Sequence, residues 1–118
     1  MLIKPVFLIL ALGCGVEAAH AQMSAPPIVS ALPNVASISA GNAAGVLQYC
    51  VEKNLVSSVS AGPVIDGLTK KPGLAKSSDF SAGQAGQIVA DKKFSIGRAP
   101  GYLQSQACDM VLKQAKRL

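Results

Sequence analysis

The stretch Asn42-Ala43-Ala44-Gly45-Val46-Leu47-Gln48-Tyr49-Cys50-Val51-Glu52-Lys53-Asn54-Leu55 decides the fold. Apolar residues fall at 43, 47, 51 and 55 and again at 46 and 50. This is the i, i+4 recurrence of one broad helical face. Cys50 lies within that face, while Gln48, Glu52 and Lys53 point away from it. Asn42 is a residue type that caps a helix, and Asn54 with the serines after Val56 can end one. The reading is a helix over about 42–56 that buries a cysteine.

Working outward, the next clear periodic stretch is the last. Pro100 can open a helix, and Leu103, Ala107, Met110, Val111 and Leu112 supply an apolar face that also carries Cys108. Lys113, Lys116 and Arg117 sit where the helix dipole favours cations. This predicts a helix over about 101–116. Between the two, Pro63 to Lys71 predicts a short helix. Proline suits a first turn, Asp66 and Lys70 are i, i+4 partners, Pro72-Gly73 stops the run, and Val64, Ile65 and Leu68 form its buried side. Ser81-Ala82-Gly83-Gln84 has capping-box spacing ahead of Ile88-Val89, yet Gly83 and Gly86 each oppose a helix by about 1 kcal/mol relative to alanine. That segment stays open between helix and loop.

The expected fold class is therefore mainly α. Two principal helices are stapled by a disulfide, and a loop-rich middle carries one or two short helices and is packed by Leu68, Leu74, Phe80, Ile88, Val89, Phe94 and Ile96. Pro26, Pro27 and Pro33 among serines and alanines make 22–40 a flexible or extended lead-in, leaving 41–118 as one small domain.

Residues 1–21 read as a cleaved signal peptide. Lys4 precedes an apolar run from Pro5 to Val16, and Ala19-His20-Ala21 offers the small-x-small pattern of a cleavage site. Those 12 apolar residues would extend about 18 Å as a helix, against roughly 30 Å of bilayer hydrocarbon, so no transmembrane helix is expected in the mature chain. Ala11-Leu12-Gly13-Cys14 suggests lipoprotein processing at Cys14 as a minority alternative, with Ala11 standing where leucine is the usual residue. Export implies the periplasm or the exterior, where thiols oxidise. Cys50 and Cys108 are the cysteines left after processing, so a disulfide between them is the default. On the chain-entropy model that closure stabilises the fold by about 4 kcal/mol.

Composition narrows the chemistry. The one histidine, His20, leaves with the signal, which excludes Ser-His-Asp and Cys-His catalytic pairs and His-ligated zinc. The cysteines lack the C-x-x-C spacing of a redox dithiol. Gly41 to Gly45 matches G-x-x-x-G, better read as close packing of two water-exposed helices than as a membrane motif. Gly83-Gln84-Ala85-Gly86 is a bare G-x-x-G without the module that clamps nucleic acid, and no nucleic-acid partner is expected. Ser57, Ser60, Ser78 and Ser81 read as turn residues. Glu52, Asp66, Asp79, Asp91 and Asp109 are spread without metal-loop spacing or an acid/base pair, so no catalytic residue, cofactor or metal site is expected. The net charge of +5 is the feature that speaks of a partner. Lys113, Lys116 and Arg117 are candidate contacts to an anionic surface, with Lys70-Lys71, Lys76, Lys92-Lys93 and Arg98 as dispersed company.

Two stretches together carry a family resemblance: Asn42 to Glu52, read "NAAGVLQYCVE", and Ala107 to Gln114, read "ACDMVLKQ", each with one cysteine. They resemble domain-of-unknown-function family 2501, small exported proteins of Gram-negative bacteria. The resemblance implies an exported, two-cysteine helical chain and supplies no activity. The expectation is an uncharacterised, non-catalytic binding or structural component of the bacterial envelope, with another envelope protein or an anionic surface as partner. The alternatives are a peripheral binder of anionic membrane or envelope polymers, and an enzyme of unrecognised type.

Overall fold

Helix α1 (Ala40–Glu52) begins because the Ser39 hydroxyl accepts the Asn42 N–H at 3.1 Å, the geometry of an N-cap. The computed structural model describes residues 32–118. The expected signal peptide, Cys14 and the 22–31 part of the lead-in lie outside them. Every residue from Gly41 to Leu47, and Cys50, is buried, so α1 is the central element, touching α2 (Ser58–Thr69), α3 (Ser78–Gln84) and α4 (Gly101–Ala115).

The helix stops at Glu52 rather than 56. Asn54 takes a left-handed conformation at φ 60°, its N–H reaches the Val51 carbonyl at 3.0 Å, and the Leu55 N–H returns to the Cys50 carbonyl at 2.8 Å. This pair of bonds is a Schellman closure with asparagine in place of glycine. Leu55 and Val56 then turn back against the core.

Helix α2 starts five residues before the expected Pro63, because Ser57 caps it by accepting from Val59 N–H at 3.0 Å and Ser60 N–H at 3.4 Å. Pro63 thus lies inside the helix and cannot donate to the Val59 carbonyl. Val59 is 84% exposed, which leaves that turn open to water. Ala61 and Leu68 are buried, and Val64 and Ile65 pack half-buried beside them.

The open segment after Pro72 resolves into α3, a 3-10 turn and a hairpin. Ser77 caps α3 by accepting from Phe80 N–H at 3.1 Å. Gly86, at φ 86°, ends that helix in a conformation side chains rarely adopt. Strands β1 (Gln87–Val89) and β2 (Lys93–Ser95) pair antiparallel in the register Gln87 to Ser95, Ile88 to Phe94 and Val89 to Lys93. Asn42, fully buried, holds this arrangement. Its Nδ2 donates to the carbonyls of Asp79 (3.2 Å) and Gln87 (2.9 Å), and its Oδ1 accepts from Val89 N–H (2.8 Å). It does not cap α1, contrary to the expectation.

The described part of the lead-in, 32–40, makes ordered contacts with the domain. Asn34 caps a 3-10 turn at Val35–Ser37, its N–H donates to Asp91 Oδ1 at 3.2 Å, and Ile38 is buried in the core. The compact unit is Leu32–Leu118, wider than 41–118. Cys50 and Cys108 form the expected disulfide, both fully buried with Cα atoms 6.0 Å apart. Because α1 ends at Glu52, the bond ties the last turn of α1, not its middle, to the middle of α4.

Candidate functional site

On α2, Pro63 and Gly67 stand four residues apart, with Lys71 four further on and just past the helix end, beside Val64 and Leu68, also four apart. These rows form one side of the helix. The C-terminal end of α4 closes against them, and the two helices enclose a groove of about 290 Å³ lined by Pro63, Val64, Gly67, Leu68, Lys71, Ala115, Lys116 and Leu118. Leu68 and Ala115 are buried and form its floor, while Lys71, Lys116 and Leu118 are exposed. Lys71 stands just past the end of α2, where the Lys71 N–H donates to the Leu68 carbonyl at 3.1 Å. Lys116 is the C-cap of α4, its N–H donating to the Leu112 carbonyl at 3.2 Å.

Among the described residues, no carboxylate side chain lines this groove. Two ammonium groups from separate helices therefore border an apolar floor at helix C-termini, where the backbone dipole suits cations. Of the three expected anionic contacts, Lys116 lines the groove, whereas Lys113 and Arg117 are exposed nearby in sequence and outside its lining. Lys71, read from sequence as one of the dispersed cations, is the partner that the fold supplies. The expected helix from Pro63 to Lys71 already sets Lys71 in i, i+4 register with Pro63 and Gly67; the missing signal is the approach of α4, which depends on how the two helices cross.

The carboxylates are not all apart either. Glu52 and Asp66 line a second groove, of about 280 Å³, between α1 and α2 with Gln48, Val51, Gly62 and Ile65. That Glu52 and Asp66 share one groove was not legible in the sequence, because it depends on how α1 and α2 cross. Asp79 accepts from the Ser39 hydroxyl at 2.9 Å and Asp91 from the Asn34 N–H, so both have structural partners.

The model of the family described as protein of unknown function (DUF2501) matches residues 52–118. The chain belongs to this family. In this DUF2501 member the matched span takes in α2, α3, the hairpin and α4, and with them Lys71, Lys116 and Cys108. Cys50 and nearly all of α1 precede it, so of the two stretches that carried the resemblance the second lies inside the match. Comparison with curated proteins and with solved structures finds no match. Among the described residues of the DUF2501 chain, no helix is long and apolar enough to cross a membrane.

Proposed function

We propose that this chain is an exported, non-catalytic binding component of the bacterial envelope, and that the groove between α2 and α4 is its contact with an acidic lipid surface. One observation carries the reading: Lys71 and Lys116 border an apolar floor, with no acidic side chain among the described residues that line it. An anionic amphiphile matches that arrangement, with its charged head against the two ammonium groups and its apolar part against Val64, Leu68 and Leu118. The disulfide supports an oxidising compartment, since such bonds persist outside the cytosol.

The test is sedimentation with vesicles of phosphatidylcholine alone and of phosphatidylcholine mixed with phosphatidylglycerol. Each lysine near an anionic surface contributes about 1 kcal/mol, so the double variant K71Q/K116Q should bind the mixed vesicles roughly thirtyfold more weakly than the native chain. Added salt should weaken the native chain's binding. The variant K76Q/K92Q loses the same charge elsewhere and should bind nearly as the native chain does. Equal losses in both variants, or no preference for the acidic vesicles, would refute the groove as the contact.

A further inference from the structure

The hairpin carries another concave surface that shares no residue with the groove. This cleft, of about 360 Å³, is lined by Gln87, Lys93, Phe94, Ser95 and Arg98. Its construction follows from the strand register. Gln87 faces Ser95 across the hairpin and Lys93 lies two residues before Ser95, so the three share one face. The opposite face carries Ile88, fully buried in the core. A 3-10 turn, Ile96–Arg98, continues directly from β2 and adds Arg98 to the same cleft.

The scaffold beneath is fixed from several sides. Asn42 bonds the Gln87 carbonyl and the Val89 N–H, Ile96 is fully buried, and the Ile96 N–H donates to the Gly86 carbonyl at 2.9 Å. The side chains that line the cleft therefore stand on held backbone. Of the five described residues that line it, two are cations, two are neutral groups able to donate hydrogen bonds, and one, Phe94, is an aromatic that the register pairs with Ile88; none is a carboxylate.

We infer that this cleft binds a phosphoryl group. A phosphomonoester carries a charge of about −1.5 to −2 at pH 7, which Lys93 and Arg98 together balance. Its three terminal oxygens can take the guanidinium fork, the ammonium, the Gln87 amide and the Ser95 hydroxyl, whereas a carboxylate offers two oxygens to the same four groups. The inference stands apart from the lipid reading of the groove, because the residues are different and separately testable.

The experiment is an amide NMR titration of the full mature chain at constant ionic strength with inorganic phosphate, glycerol 3-phosphate and acetate, run beside vesicles containing phosphatidic acid. Saturable shifts confined to residues 87–98, with phosphate or its ester at least tenfold tighter than acetate, are the expected result. Arg98→Gln and Lys93→Gln should each weaken binding about tenfold, with the remaining spectrum unchanged, and Lys113→Gln should not. Saturation by the free anions assigns a soluble ligand. Saturation by the vesicles alone, still lost in R98Q, assigns a lipid headgroup. Shifts that never saturate, acetate matching phosphate, or R98Q and K93Q binding as well as the native chain would overturn the inference.

Discussion

At Asn42 a fully buried amide meets backbone groups of two other segments, giving two hydrogen bonds and receiving one. A typical hydrogen bond contributes about 0.5–1.5 kcal/mol net, and truncating Asn42 removes three at once. Asn42→Ala is expected to lower the unfolding free energy by about 3 kcal/mol or more, measured by urea denaturation under non-reducing conditions. Asn42→Leu, closer in volume, should rescue little, because it fills space and restores no hydrogen bond. An N42L variant as stable as the native chain would show that packing, not bonding, is the role of this side chain. The sequence presents Asn42 as a cap because asparagine favours caps and its true partners, Asp79, Gln87 and Val89, are remote in the chain. The serine three residues earlier was the better capping signal.

Between elements, the closest approach is glycine on glycine. A Cβ at Gly83 would come within 2.5 Å of the Asn42 carbonyl oxygen and the Val46 nitrogen, and one at Gly45 would run into the Phe80 carbonyl oxygen. Backbone atoms cannot rotate aside as a side chain can, so Gly83→Ala must push α3 away from α1. Overpacking of this kind costs typically 1–3 kcal/mol, and the variant should show a thermal midpoint lower by several degrees with reduced protection of the α3 amides. An unchanged midpoint would contradict the close crossing. The spacing Gly41-x-x-x-Gly45 was legible as helix packing, but its partner was not. Gly83 counts against a helix by propensity, yet it is the residue that lets α3 dock. Elements as short as α3, at seven residues, and the strands, at three each, draw their stability from such contacts rather than from local preference. The two long helices were legible for the opposite reason, since α1 and α4 each repeat an apolar face over several turns. Pro63 misled the start of α2, because first-turn proline is common and the exposed Val59 turn that tolerates an interior one is a feature of the fold.

For the whole molecule, the disulfide is the covalent frame. It joins positions 58 apart, and by the chain-entropy model contributes about 4 kcal/mol. Domain stabilities are about 5–15 kcal/mol in total, so this is a sizeable part. It fixes α4 against α1, the helix on which α2 also packs, and so sets the frame in which Lys71 and Lys116 meet. The cysteine pairing was legible from the cysteine count together with the expected export. The groove was not, because it needs the crossing of α2 and α4. Export, an oxidised Cys50 to Cys108 bond and a binding surface built on that bond form one account. Its most direct test is the intact mass of the protein recovered from an envelope fraction after thiol alkylation without reduction. The account predicts a chain beginning at Gln22 with no alkyl group attached, and a chain carrying two alkyl groups would contradict it.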